Sequence, residues 1–231
     1  MSESQLSGTI YPPFPTIGVH GYESGPPVYN FSRSLARAVG TVFFDLKAHG
    51  EANVPLTGGV LLVSNHQSFV DPIFIAAKLP RVLAFLAKSG LFDPPGFGWL
   101  IRNCNAFPVK QGKGDVGAMK KTIELLQTGH AVLVFPEGSR SEDGKLQEIA
   151  AGAALVVKRA KVPVVPLVIE GAFDVWPRHR KLPRIGRVTV KFGEPMWLHQ
   201  MESREIVGKI GEAFRELLVP LVPSPGTPGE G

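Results

Sequence analysis

The sequence predicts an α/β fold: a single domain with a mixed, mostly parallel sheet flanked by helices and an active site at the strand carboxyl ends. Three observations predict it. Val60-Leu61-Leu62-Val63, Ala131-Val132-Leu133-Val134-Phe135 and Val164 to Ile169 are apolar runs that read as strands buried on both faces, the mark of a parallel sheet. Segments of helical period lie between the strands. Polar residues suited to proton transfer and anion binding follow two of the runs directly, at the edge where open α/β sheets bind ligands.

Residues 1–30 are rich in Pro, Gly and Ser, with Pro12, Pro13, Pro15, Pro26 and Pro27, and read as an extended arm. Asn30-Phe31-Ser32 starts a helix over about 32–43, with Leu35, Val39 and Val42 on one face and Arg33 and Arg37 off it. That face either packs on the core or lies on lipid. A strand over Phe43–His49 follows, then a turn at Gly50 and Pro55–Gly59 into the strand at Val60. Asp71-Pro72 opens a short helix to about Ala77. Val82 to Leu86 reads as a buried strand, and Asp93-Pro94-Pro95-Gly96 breaks the chain before an apolar segment from Phe97 to Ile101.

Asp115 opens a helix with Val116, Met119, Ile123 and Leu126 on one face, closed by Gly129. Another helix covers about 150–160. Arg187 to Phe192 alternates polar and apolar, as a half-exposed strand does. The last helix starts at Ser203, turns Ile206, Ile210, Phe214 and Leu217 inward, and stops before Pro220. The domain is thus expected over 31–219, with a disordered Pro/Gly-rich tail over 220–231.

A 231-residue chain with 44% apolar and 19% charged residues has the material for one sizeable core. Its net charge of +5 suits an anionic partner: a phosphate ester, coenzyme A, an acidic lipid or nucleic acid. Cys104 is the only cysteine, which excludes an internal disulfide and a cysteine metal cluster and fits a reducing compartment. The first residues lack the basic start and apolar middle of a secretory signal. No run approaches the roughly 18 apolar residues of a membrane span. The expected location is cytoplasmic, peripheral on the inner face of the cell membrane.

The chemistry concentrates in Ser64-Asn65-His66-Gln67-Ser68-Phe69-Val70-Asp71-Pro72. A histidine is the side chain best suited to take a proton near neutral pH, and a carboxylate beside it fixes its tautomer. Singly, Asp71 is an ordinary helix cap before proline and His66 an ordinary structural histidine. Together, at a strand end, they read as a general base and its orienter. No Gly-x-Ser-x-Gly elbow is present, and Ser64, Ser68, Ser139 and Ser141 read equally well as caps or turns. His66 therefore most simply activates a substrate hydroxyl. The second feature is Phe135-Pro136-Glu137-Gly138-Ser139-Arg140-Ser141. Arg140 offers the planar fork that suits a phosphate. Gly138 permits close backbone approach, and Glu137 either orients Arg140 or accepts from a substrate hydroxyl.

Asn65-His66-x4-Asp71 with Phe135-Pro136-Glu137-Gly138-Ser139-Arg140 resembles the first and third motifs of the glycerolipid acyltransferase family, which includes the 1-acylglycerol-3-phosphate acyltransferases. Gly98-Trp99-Leu100 with Phe107-Pro108-Val109 resembles its second block, and Val162-Pro163-Val164-Val165-Pro166-Leu167 its fourth. The resemblance covers about residues 40–195. It implies that His66 deprotonates an acceptor hydroxyl, which attacks an acyl thioester on coenzyme A or acyl-carrier protein. The implied acceptor is a lysophospholipid, first of all 1-acylglycerol-3-phosphate. It further implies that Glu137, Gly138, Ser139 and Arg140 bind the acceptor, with no metal and no cofactor beyond the acyl donor. Ser139 stands where threonine is common. Gln111 stands where the family's second block ends in arginine, leaving Lys110 beside it and Lys113 nearby as the available charges. A different lysolipid or another hydroxyl acceptor therefore stays open, and Gln111→Arg is expected to improve use of a phosphate-bearing one.

Arg178, Arg180, Lys181, Arg184, Arg187 and Lys191 form a basic arm with Trp176 at its start and no acidic residue from Val175 to Gly193. It suits an anionic membrane surface or the phosphates of coenzyme A, or is a solvated loop and edge strand. No interleaved aromatic platform marks nucleic-acid binding. Two rivals remain. Gly112-Lys113-Gly114-Asp115-Val116-Gly117, with Glu137 twenty residues on, matches a dinucleotide-binding fingerprint, although the proline-interrupted polar stretch Asn103–Gln111 is a poor parallel strand before it. A non-catalytic, membrane-associated lipid-binding module is the other.

Overall fold

The computed structural model describes residues 25–79, 81–109 and 116–219. One sheet runs in the order β1-β7-β6-β2-β5-β3-β4, made of β1 Lys47–His49, β2 Val60–Ser64, β3 Leu83–Lys88, β4 Ala106–Val109, β5 Ala131–Val134, β6 Val164–Glu170 and β7 Thr189–Phe192. β6, β2, β5, β3 and β4 are parallel neighbours. β7 runs antiparallel to β6, and β1 parallel to β7. The helices among the described residues are α1 Pro27–Phe44, α2 Asp71–Lys78, α3 Pro95–Asn103, α4 Val116–Gln127, α5 Gly152–Ala160, α6 Ala172–Val175 and α7 Ser203–Leu218.

The apolar runs predict the centre of the sheet because alternate residues face opposite layers. Val60, Leu62, Leu133, Val165 and Leu167 pack with Phe74 and Ile75 of α2 on one side. Leu61, Val63, Val132, Val164 and Val168 pack with Val157 of α5 and Ile206, Ile210 and Phe214 of α7 on the other. The α2 and α5 helices thus leave the adjacent strands β2 and β5 toward opposite faces. Where neighbouring connections diverge in this way, a crevice opens at the strand ends.

Several boundaries differ from expectation. α1 begins at Pro27, not near 32, because proline at the first helical position has no missing bond to lose. The expected arm over 1–30 therefore overlaps it; residues 1–24 and the expected tail over 220–231 lie outside the described residues. Phe43 and Phe44 belong to α1, which ends at left-handed Asp45 (φ 36°), so β1 starts only at Lys47. The segment 103–111 does contain a parallel strand, β4. It is an edge strand, where Pro108 removes no needed hydrogen bond. β7 is not a half-exposed edge: β1 covers it, and buried Lys191 pairs with Glu170 at 2.7 Å and donates to the carbonyls of Leu217 and Val219.

Candidate active site

His66 lies two residues beyond the end of β2 in a loop held at many points. Asn65 acts as one more rung of the ladder, its Nδ2 donating to the Ile169 carbonyl (3.1 Å) and its Oδ1 accepting from the Ile169 amide (2.8 Å). Gln67 Nε2 donates to the Gly144 carbonyl, and Ser68 Oγ to the Trp176 carbonyl, both at 2.7 Å. The His66 backbone is bracketed by the loop after β5: its amide donates to Glu137 Oε2 (3.2 Å), and its carbonyl accepts from the Ser141 amide (2.7 Å). Buried polar side chains that follow directly on an apolar strand were the signal for this scaffold, but their partners are far along the chain.

His66 Nδ1 sits 2.8 Å from Asp71 Oδ2. The same oxygen accepts from the amides of Gln67 (2.6 Å) and Ser68 (2.7 Å). An ionised carboxylate only accepts, so Nδ1 carries the proton and Nε2 keeps its lone pair. Among the described residues Nε2 has no hydrogen-bond partner, and the ring is 20% exposed. The ring stacks on Phe135, with centroids 3.9 Å apart. Burial pushes the Asp71 carboxyl upward, against the His66 ring and the two amides that favour its charge.

The serines have other duties. Ser64, Ser68 and Ser141 are fully buried, and their hydroxyls donate to the Asn65 carbonyl, the Trp176 carbonyl and the Asp143 carboxylate. Glu137 is also occupied. Its second oxygen accepts from the Gln147 amide at 3.4 Å, and among the described residues no bond joins it to Arg140. Gly138 has φ +75° with no atom within 4 Å of an added Cβ, so the left-handed turn, rather than crowding, calls for glycine there. Arg140 is half-buried and has no hydrogen bond or ion pair to another described residue. Burial and the nearby Arg178 charge lower its pKa, while Asp71 raises it. Lys110, Gln111 and Lys113 lie outside the described residues.

Glu137 carries a pH signature. Burial raises its carboxyl from the ordinary value near 4.5, against the His66 and Gln147 amide bonds. A raised carboxyl stabilises the fold fully below its unfolded value, and that contribution is lost as pH rises through the folded one. Glu137→Gln removes this dependence. The melting temperature of the wild type minus that of the variant is therefore expected to shrink from about pH 4 toward neutrality. A difference that widens over that window contradicts this reading.

The acyltransferase family model matches residues 45–170, from just after α1 to the end of β6 and more than half of the 231-residue chain. The chain belongs to the acyltransferase family. This acyltransferase-family chain is 35% identical, over 138 residues, to the chloroplastic 1-acyl-sn-glycerol-3-phosphate acyltransferase of Arabidopsis thaliana; the match covers 58% of the chain but only 38% of that protein. It is 28% identical to the 1-acyl-sn-glycerol-3-phosphate acyltransferase of Bacillus subtilis, covering 82% of the chain and 94% of the relative. The crystal structure of the 1-acyl-sn-glycerophosphate acyltransferase PlsC from Thermotoga maritima superposes with a TM-score of 0.73 at 29% identity, covering 82% of this chain and 78% of that one.

The dinucleotide rival loses its footing. The strand before its glycines, β4, is an edge strand, and its acidic residue, Glu137, accepts from backbone amides. Gly112, Gly114 and Asp115 lie outside the described residues.

Proposed function

We propose that this chain transfers a fatty acyl group from a thioester, on coenzyme A or acyl-carrier protein, to the hydroxyl of a lysophospholipid. The first-choice acceptor is 1-acylglycerol-3-phosphate, giving phosphatidic acid. The observation that carries this reading is the His66–Asp71 bond, with Nε2 unpartnered among the described residues and partly exposed beyond the carboxyl end of β2. Nε2 takes the hydroxyl proton as the acceptor oxygen attacks the thioester carbonyl. The tetrahedral intermediate collapses, the carbon–sulfur bond breaks, and the imidazolium returns the proton to the departing thiolate. Asp71 holds the tautomer and offsets the imidazolium charge. Glu137 acts by holding the His66 backbone, and Arg140, unpaired among the described residues, meets the acceptor's phosphate.

The reaction takes place at an anionic membrane surface. No described helix is long and apolar enough to cross a membrane. The α1 face expected to pack on the core or lie on lipid does not pack: Phe31, Leu35, Val39, Val42 and Phe43 are exposed, Val42 by 72%. Phe31 and Leu35 line an apolar groove of about 500 Å³ with Trp99 and Leu100 of α3. The basic arm adjoins the end of α1, since the Gly186 amide donates to the Phe43 carbonyl (3.4 Å) and the Val188 amide to that of Phe44 (2.9 Å). Leu182 and Ile185 project from it, 74% and 78% exposed, among Arg180, Lys181 and Arg184. Apolar tips within a basic loop suit insertion between acidic headgroups.

A panel tests both parts: purified protein, lysolipids with different headgroups, acyl groups on either carrier, and acceptor in micelles or anionic vesicles. Transfer to 1-acylglycerol-3-phosphate is expected; transfer to none of the lysolipids sinks the activity. Vesicle binding is expected to weaken with salt and in Val42→Asp; binding insensitive to both removes the membrane role.

A further inference from the structure

We infer that Arg178 is the second cation at the acceptor's phosphate, acting with Arg140 to set the preference for phosphate-bearing acceptors. This rests on the acceptor reading above and extends it to a residue outside the segment, 45–170, that matches the family model.

The geometry comes from two tethers. Two residues before Arg178, the Trp176 carbonyl accepts from Ser68 Oγ at 2.7 Å, which ties this segment to the His66 loop. The Trp176 ring also meets Phe69 edge-on, with centroids 6.0 Å apart. On the other side, Arg178 Nη1 lies 3.8 Å from Glu142 Oε1. Glu142 follows Ser141, whose amide holds the His66 carbonyl, and Ser141 follows Arg140. Arg178 thus stands where the loops after β2, β5 and β6 converge.

Three other members of the basic arm point their groups elsewhere. Arg184 Nε donates to the Asp174 carbonyl at 2.7 Å, and Arg187 Nε to Asp45 Oδ2 at 2.8 Å. Lys191 is buried against Glu170 and the end of α7. Among the described residues Arg178 pairs only with Glu142, whose side chain is 86% exposed, so the contact is long, solvated and readily exchanged.

Arg140 lies two residues before Glu142, the partner of Arg178, so the two guanidinium charges oppose each other, and no carboxylate pairs with Arg140 among the described residues. A phosphate dianion between two guanidinium forks relieves that repulsion and takes parallel hydrogen bonds from both.

Steady-state kinetics of Arg178→Gln, Arg178→Lys and Arg140→Gln test this, with 1-acylglycerol-3-phosphate as the acceptor in micelles and in anionic vesicles. Arg178→Gln is expected to raise the acceptor KM about tenfold or more, the effect of losing one charged hydrogen-bonding partner. Its kcat, donor KM and melting temperature should stay near wild type, and the KM rise should be the same in micelles and vesicles. Arg178→Lys should recover part of the loss. If Arg140→Gln raises the acceptor KM and Arg178→Gln does not, the assignment of Arg178 falls while the acceptor reading stands. A rise confined to vesicles also overturns the assignment, returning Arg178 to the lipid surface. A wild type that does not acylate this acceptor overturns both.

Discussion

His66→Ala loses acyl transfer while keeping its fold. Removing a positioned general base costs about 10²- to 10⁴-fold, and with no other base at the acceptor hydroxyl the upper part of that range is expected. The stability effect should be small for structural reasons. The ring is partly exposed and stacks on one face of Phe135, so its loss opens a solvent-filled notch, not a sealed cavity. The loop keeps its anchors, because Glu137 and Ser141 grip the His66 backbone, which alanine retains. Single-turnover transfer beside a thermal melt checks this. A folded His66→Ala protein with near-normal turnover would remove the mechanism altogether.

Asp71→Asn should cost nearly as much activity and, unlike His66→Ala, stability as well. Asp71 is fully buried, and one oxygen takes three donors while the other has no partner. An asparagine oxygen in the three-donor position leaves the amide nitrogen buried without an acceptor, at a cost of about 1–3 kcal/mol. Turned the other way, the amide donates to His66 Nδ1, moves the ring proton to Nε2 and abolishes the lone pair that the reaction uses. Loss of the correct tautomer lowers kcat by about 10⁴-fold in the serine-protease precedent. In that orientation the amide also faces the Gln67 and Ser68 amides donor to donor, so both orientations cost stability and the second costs catalysis as well. The double variant with His66→Ala should be no slower than His66→Ala alone, since the two side chains act as one unit. Additive losses in kcat would mean that Asp71 serves the reaction independently of the histidine.

Legibility in the sequence followed the range of the interaction. Val60 to Val63 and Ala131 to Val134 read as central strands because residues buried on both faces must be apolar, and they became β2 and β5. His66 and Asp71 were legible as a pair because a five-residue loop closes on itself. Glu137 was legible only by its type and strand-end position; its bond to a backbone amide 71 residues earlier was not. Asn103 to Gln111 reads as a poor strand because proline does not suit a central position, and only the strand order makes Ala106–Val109 an edge. The alternation at Arg187–Phe192 suggested exposure, but β1 lies over that edge and Lys191 is buried with partners from β6 and α7.

By itself the sequence determined the elements that depend on neighbours: apolar strands, amphipathic helices, and a histidine with its carboxylate at a strand end. The folded structure alone decided what surrounds that pair. Ile169 is 104 residues from Asn65, and Trp176 is 108 from Ser68. Such contacts exist only once the sheet has its order, with β6 and β5 on either side of β2. Periodicity reports which way a side chain faces along its own element. It carries no information on which distant loop arrives opposite, and that arrival turns Glu137 into a brace for the His66 loop and brings Arg178 to its rim.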